Sequence, residues 1–584
     1  VKTSLLLVVG LLVSCPGFSQ SFAITGLLPA RNAPAPMSAD LNVTFSQPLS
    51  AASTGAVRVF GSQRHGRLPG QALVTGNTLV FNPLSGFMPG ELISATITTA
   101  AQSSTGTALA TPQVFQFRAA AVGGTGMFPS GNEFNAASLA TVFEMAVADL
   151  DGDGDLDVVT PSSETRVVVR KNDGRGGFPV TNATVAEVGY KPISVILADV
   201  DSDGDVDMLA VNSESLLPNQ QSTTVTVRLN DGNGAFAAPT IAANGIVTVQ
   251  ARPTALAAAD VDADGDLDLV VATAGSYAGG TGRVSIRLNN GAGVFGGNTE
   301  VTVAKPCNGL AVADIDNDGD VDLLSADYDS NTLSVRKNDG TGQFSGTGSI
   351  SIIAGGTGVW STRDIKMGDL DGDGDLDVII RNKQGESVDI FLNDGQGNFS
   401  SGQRIYSQGT ACLGLSDLDG DGDLDILTQY GQDGTSSAIS TYFNNGQGRF
   451  TTNVTRKVTG SIYTLSTGDL DGDGDLDCVT LAFTSVTGVG LGVFFNDGTG
   501  PLLPTAKPTH APRLAVYPNP AQGEARLRVA RGTREVAVLN AMGQRLRVVA
   551  MAATETEVLL PLSGLSAGVY TVQAGAAAGR LVIQ

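Results

Sequence analysis

Histidine is almost missing from this 584-residue chain. His65 and His510 are the only two, so no His-dependent triad and no His-rich metal centre can be assembled from its central region. Cysteine is scarce too, at four residues, and the three beyond residue 20, Cys307, Cys412 and Cys478, cannot form a closed set of disulfides. With no activating His and no motif that lowers a thiol pKa, they read as small buried residues rather than nucleophiles. Tryptophan occurs once, as Trp360, and aromatics make up 5% of the chain. Positive charge is outnumbered, with 35 Lys and Arg against 58 Asp and Glu; the net charge of −23 argues against a nucleic-acid partner. No run of apolar residues is long enough to span a bilayer, so no transmembrane segment is expected.

What the chain has in abundance is one nine-residue phrase, Asp-apolar-Asp-x-Asp-Gly-Asp-apolar-Asp, written seven times. The first copy holds Asp149, Asp151, Asp153, Asp155 and Asp157, and the second Asp199, Asp201, Asp203, Asp205 and Asp207. The third holds Asp260, Asp262, Asp264, Asp266 and Asp268, and the fourth Asp314, Asp316, Asp318, Asp320 and Asp322. The fifth holds Asp369, Asp371, Asp373, Asp375 and Asp377, and the sixth Asp417, Asp419, Asp421, Asp423 and Asp425. The seventh holds Asp469, Asp471, Asp473, Asp475 and Asp477. Carboxylates at positions 1, 3, 5 and 9, a turn-forming Gly at position 6 and a backbone carbonyl at position 7 are what a hard cation with oxygen ligands requires. Each phrase therefore predicts a Ca2+ site, about seven in all. Seven divalent ions would bring the net charge from −23 to −9. Magnesium, which keeps its waters, suits such a cage less well.

An EF-hand is excluded by position 12, which is Thr160, Ala210, Val271, Ser325, Ile380, Thr428 or Thr480 where a bidentate Glu is needed. Back-to-back Gly-Gly-x-Gly-x-Asp arrays of a calcium β-roll are absent. The phrases recur every 48 to 61 residues, the period of a repeat architecture. Short β-type runs flank each one, and a third run ends in Asn-Asp-Gly or Asn-Asn-Gly at Asn172, Asn230, Asn289, Asn338, Asn393, Asn444 and Asn496, a hairpin signal. In six units Gly-x-Gly-x-Phe follows, with Phe178, Phe236, Phe295, Phe344, Phe399 and Phe450 expected to open a fourth strand. Four strands per unit, seven times, predicts a seven-bladed β-propeller over 120–503. The seventh unit lacks its closing phrase, whereas Gly124-Thr-Gly-Met-Phe128 carries one upstream of the first loop. A strand near 124–134 is expected to complete the last blade, which removes two open sheet edges.

The fold class expected is all-β, the propeller flanked by two small β-sandwich domains. Residues 21–119 contain evenly spaced period-2 runs: Leu41 to Phe45, Val57 to Phe60, Thr78 to Phe81, Ser94 to Thr98 and Val114 to Phe117. Residues 514–584 are Arg-rich, with alternating runs between Gly turns, and a Pro-rich linker, 504–513, precedes them. Residues 1–20, with Lys2 before an apolar stretch from Leu5 to Val13, read as a secretory signal peptide cut near Gln20; Leu12-Val-Ser-Cys15 as a lipoprotein box is the alternative.

Three resemblances attach to these residues. The central repeats resemble the FG-GAP, or VCBS-type, family, which includes integrin α-subunit heads and some seven-bladed fungal lectins; this implies calcium at the loop carboxylates. Asp40-Leu-Asn-Val-Thr-Phe-Ser-Gln-Pro-Leu49, with Phe81-Asn-Pro and Pro89-Gly-Glu91, is similar to bacterial Ig-like domains, which implies a spacer. Tyr517-Pro-Asn-Pro, Asn540-Ala-Met-Gly543 and Gly568-Val-Tyr570, in that order, resemble the type A C-terminal sorting domain of type IX secretion. This implies recognition by the type IX machinery through 514–584 and an extracellular or outer-membrane-surface location. The expected function is a calcium-binding adhesion or recognition module for an unknown surface protein or glycan, contacting it through the loop-bearing faces. A calcium-dependent lectin is an alternative, with Trp360, Phe391, Tyr442 and Phe494 as aromatics to weigh. A glycan hydrolase, using non-loop acids such as Asp327, Asp329, Asp364, Glu386 or Asp389, is a further one. No catalytic residue is assigned.

Overall fold

The computed structural model describes residues 21–584 apart from 65, 135–143, 163–164, 189–190, 213–221, 237–244, 275–280, 305–306, 328–331, 347, 352–363, 383–385, 408–411, 432–435, 485–487, 497–515, 518–522, 529–534, 540–544, 552–556, 566–567, 575–576 and 584. The signal-peptide, lipoprotein-box and linker expectations, both histidines, Trp360 and Asp329 lie outside the described residues.

Seven consecutive antiparallel sheets fill the centre of the chain. The third is typical: Pro253–Ala259, Asp268–Thr273, Gly282–Asn289 and Phe295–Val303 pair in that order. In every sheet the second strand starts at position 9 of the acidic phrase, so each phrase is the turn between first and second strands. The first strands, from Ala146–Ala148 through to Ser461–Gly468, contact one another in sequence, and the last contacts the first. The result is a closed seven-bladed propeller.

Closure has two parts. Ser130–Phe134 pairs antiparallel with Gly488–Phe495 as the outer strand of the last blade. The turn is shared as well: Asn496 Oδ1 accepts from the backbone N–H groups of Thr125 and Gly126 at 2.9 and 2.6 Å. Phe128, 1% exposed, fills the core between the sixth and seventh blades.

Not every Phe opens a fourth strand. Phe295, Phe344 and Phe399 do, but in the first blade the outer strand is Thr184–Glu187, six residues beyond Phe178. Pro179 follows Phe178, has no N–H for the ladder, and caps a short 3-10 turn instead.

Residues 24–119 form a sandwich of two four-stranded sheets. One contains Ile24–Leu28, Leu41–Phe45, Thr78–Pro83 and Gly70–Thr75, and the other Pro34–Ala35, Gln113–Ala119, Leu92–Ile97 and Val57–Gly61. Their inner faces bury Leu41, Val43, Phe45, Ile93, Phe115 and Phe117.

This sandwich is not a spacer standing clear of the ring, because it docks on the face that carries the acidic loops. Met88 joins the core around Leu156 and Leu470, Phe60 the core around Val200 and Leu267, and Val114 the core around Val261 and Val321. Backbone bonds run from Val114 N to Gly319 O and from Val122 N to Gly474 O, and Asn32 Nδ2 donates to Gly374 O, each acceptor being the position-6 carbonyl of its loop. The loop-bearing face expected to meet a partner is thus already engaged by the chain itself.

Residues 501–584 form a separate unit. Within it, one sheet contains Val516–Tyr517, Glu524–Arg528 and Glu557–Pro561, and the other Arg545–Ala550, Glu535–Leu539, Gly568–Ala574 and Ala577–Ile583. Leu527, Val538, Leu560, Val572 and Leu581 are buried between them.

Candidate metal centres

All seven loops have one internal wiring. The Oδ2 of position 1 accepts the N–H of the position-6 Gly at 2.9–3.2 Å. That Gly has φ between +91° and +102°, so a side chain there would be strained. Position 9 is buried in every loop; its Oδ2 accepts the position-2 N–H and its Oδ1 the N–H of the Asn that ends the third strand. These bonds pre-shape the turn and aim the remaining oxygens inward.

Those remaining oxygens are short of partners. The Oδ1 atoms of Asp151, Asp199, Asp201, Asp260, Asp314, Asp316 and Asp371 are buried and make no hydrogen bond. Carboxylates converge within 4.8 Å in the sets Asp149, Asp151, Asp153; Asp199, Asp201, Asp203; Asp260, Asp262, Asp268; Asp314, Asp316, Asp322; and Asp369, Asp371, Asp377. Buried carboxylate oxygens without donors, converging from three side chains, are a donor set that fits a hard divalent cation.

Positions 5 and 7 sit differently. Position 5 is exposed in all seven loops and its Oδ1 accepts the position-7 N–H. The position-7 side chains, Asp155, Asp205, Asp266, Asp320, Asp375 and Asp423, lie against the Gly of their own blade's Asn-Asp-Gly or Asn-Asn-Gly turn. A Cβ at Gly174, Gly232, Gly291, Gly340, Gly395 or Gly446 would come within 2.5–2.7 Å of that carboxylate. In these six loops the position-7 carboxylate thus lies beside the neighbouring turn, while in the seventh Asp475 is buried at 3% exposure.

Burial raises the carboxyl pKa values. Desolvation, partly offset by the backbone donors, pushes Asp157 and Asp425 up to about 7, and Asp207, Asp268 and Asp322 up to about 8. Because the folded values lie above the ordinary 3.8, these groups favour the ion-free fold at acid pH and lose that contribution as pH rises through 7 to 8. A bound cation requires the ionised form and reverses the sign. The ion-free melting temperature should therefore fall from pH 5 to pH 8, and the gain on adding calcium should grow over that interval. Calorimetric scans giving the same calcium-induced gain at both ends would refute this.

Other candidate residues are placed in structural roles. Phe391, Tyr442 and Phe494 are buried in blade cores, so the lectin reading draws no exposed aromatic from them. Asp327 accepts from Ser325, Ser334 and Thr332, while Asp389 is held by Arg404 at 2.6 and 2.9 Å and by Asn382 and Ser387. Asp364 pairs with Arg381, and Glu386 is exposed. Cys307, Cys412 and Cys478 are buried and unbridged, and burial raises their thiol pKa values, which suits packing rather than attack.

The sequence marks the repeated Asn only as a turn residue. In the structure its Nδ2 donates to the position-8 carbonyl of its own loop at 3.0–3.2 Å and to the position-2 carbonyl of the preceding blade at 2.7–2.9 Å, in all seven blades. Asn172 completes the circle by reaching Leu470 O of the last blade. The Arg two residues before it makes a second stitch in three blades: Arg228, Arg287 and Arg336 donate through Nε to Glu187 O, Thr248 O and Thr302 O of the neighbouring outer strand. Strict recurrence at one place in every repeat was the available signal.

Five stretches, 149–210, 215–271, 314–380, 369–428 and 417–480, match the FG-GAP-like repeat. The chain carries FG-GAP-like repeats. The sandwich ahead of these repeats matches the bacterial Ig-like domain over 19–119, and residues 515–584 match the secretion system C-terminal sorting domain. That domain marks secreted, cell-surface or outer-membrane-attached proteins and implies engagement of the type IX export machinery. Among the described residues no helix is long and apolar enough to cross a membrane. No curated protein matches the chain. Among solved structures, an Agrocybe aegerita lectin studied for specific recognition of non-reducing terminal N-acetylglucosamine is 18% identical, covering 74% of this FG-GAP-repeat chain and 97% of its own, with a TM-score of 0.37. A Lactobacillus plantarum protein is 13% identical, covering 69% and 99%, with a TM-score of 0.39.

Proposed function

We propose that this protein is a calcium-binding recognition module, delivered outside the cell, that binds a surface protein or glycan without transforming it. The calcium part is carried by the unpartnered, inward-turned carboxylate oxygens that recur from loop to loop. Metal at strand turns of this kind holds a fold together. Asp327 and Asp389 are engaged in buried hydrogen-bond networks, which speaks against their serving as the pair of a two-carboxylate hydrolase.

With the Ig-like domain on the loop face, recognition falls to the opposite face and the blade sides. A glycan partner is favoured by one observation there. Tyr406, Tyr430 and Phe483 are 74%, 43% and 40% exposed, and they lie in the fifth, sixth and seventh blades toward the strand ends remote from the acidic loops. Exposed aromatic faces suit sugar rings. A glycan array probed with calcium, with chelator and with Tyr406→Ala should show calcium-dependent retention that the variant weakens, and no sugar product. Product release would establish a hydrolase; no retention at all would leave a protein partner.

A further inference from the structure

The seven loops fall into two classes that the repeated phrase conceals. In the first, fifth, sixth and seventh, position 4 is Gly152, Gly372, Gly420 or Gly472, whose N–H donates to Oδ1 of the position-1 Asp at 2.7–2.8 Å. In the second, third and fourth, position 4 is Ser202, Ala263 or Asn317, and the Oδ1 atoms of Asp199, Asp260 and Asp314 have no hydrogen-bond partner although these residues are only 0%, 3% and 8% exposed.

In these same three loops the Ig-like domain hydrogen-bonds the position-1 carboxylate, whereas at the first loop it brings only the charge of Arg64, whose Nε lies 4.0 Å from Asp149 Oδ2. The backbone N–H of Arg67 donates to Asp199 Oδ2 at 2.9 Å, Thr96 Oγ1 to Asp260 Oδ2 at 2.5 Å, and Arg31 Nη1 to Asp314 Oδ2. Each Oδ2 also holds the position-6 N–H of its own loop. One oxygen is thereby pinned from two sides, and the other is turned inward with nothing to meet it.

We propose that the Ig-like domain is a working part of the second, third and fourth metal centres: Arg67, Thr96 and Arg31 position the carboxylates of Asp199, Asp260 and Asp314, so that ion binding and domain docking strengthen each other. This rests on the calcium reading of the loops. A donor on the far oxygen of a ligating carboxylate fixes its orientation, and loss of such a partner typically weakens a metal site about 10- to 100-fold. Linkage then requires the ion to tighten the docked domain by the same factor. The fifth, sixth and seventh sites, whose position-1 oxygens are oriented from within the loop, do not share this dependence; the first is oriented from within as well and receives from the domain only the charge of Arg64.

Thr96 isolates the effect, because it is neutral; Arg31 also brings positive charge toward the ion, so its removal has two opposed consequences. Calcium titration of the full chain by calorimetry should show about seven sites in the wild type. Thr96→Val should leave the count unchanged and weaken one site about tenfold, while Thr75→Val, on an exposed strand end of the same domain, should change nothing. A second arm needs no variant: hydrogen exchange at the Arg67 amide should slow about tenfold when calcium is added. Superimposable wild-type and Thr96→Val isotherms, or an Arg67 amide indifferent to calcium, would overturn the proposal. A wild-type chain that takes up no calcium would remove the calcium reading itself, and this inference with it.

Discussion

Stripping divalent ions from the folded protein should lower its melting temperature by about 12 °C. An ion held at about ten times its dissociation constant stabilises the folded state by roughly 1.4 kcal/mol per site, or about 10 kcal/mol for seven. Unfolding entropy near 2.1 cal/mol/K per residue gives about 0.8 kcal/mol per degree for a propeller of roughly 380 residues, which converts that loss into the stated shift. The structural cause is the row of buried carboxylate oxygens with no donor, from Asp151 to Asp371, left facing one another once the cation is gone. Scanning calorimetry with calcium and then with excess EGTA reads the effect directly. An unmoved transition would mean that these turns hold their shape without ions.

The second large effect is expected far from any surface. Replacing Asn338 by Leu should destabilise the propeller by about 3–5 kcal/mol, because two buried carbonyls, Val261 O and Val321 O, lose their donor. One of these belongs to the preceding blade, so the loss weakens the joint between the third and fourth blades as well as the turn itself. The next residue is no substitute, because the Asp339 carboxylate carries no donor and its backbone N–H is directed at the Asn338 side chain. Denaturant melts of the full chain measure this. A shift under about 1 kcal/mol would show that water or a relaxed backbone takes over the two carbonyls.

Local pattern carried the architecture. Leu41–Phe45 is a strand with the bounds expected from alternation alone, and the acidic phrases stand between first and second strands as the flanking apolar runs implied. This legibility has a physical source: hydrophobic period and turn chemistry are short-range, and seven repetitions average out the exceptions. The exceptions that remained are also local, as where Pro179 denies the ladder an N–H and pushes the first outer strand downstream.

What was not legible lies between elements distant in sequence. Nothing near Thr96 announces that its hydroxyl meets Asp260, 164 residues away, and nothing near Asn172 announces Leu470. The phrase Asp-x-Asp-x-Asp-Gly marks every loop alike, yet the replacement of a Gly at position 4 by Ser202, Ala263 or Asn317 coincides with an outside donor that only docking reveals. The aromatics that replace Arg in the last three blades proved to be core residues because the site is enclosed by neighbouring sheets, a property of assembly rather than of the strand.

The pairing of Ser130–Phe134 with Gly488–Phe495 also sets a timetable. A ribosome that has made six whole blades still holds a chain whose earliest propeller strand has no companion, and whose seventh sheet cannot be finished from nearby residues. Closure must await almost the last of the ring to be synthesised, across a loop of more than three hundred residues whose entropy opposes it. Prematurely terminated copies would carry two raw sheet margins able to recruit each other.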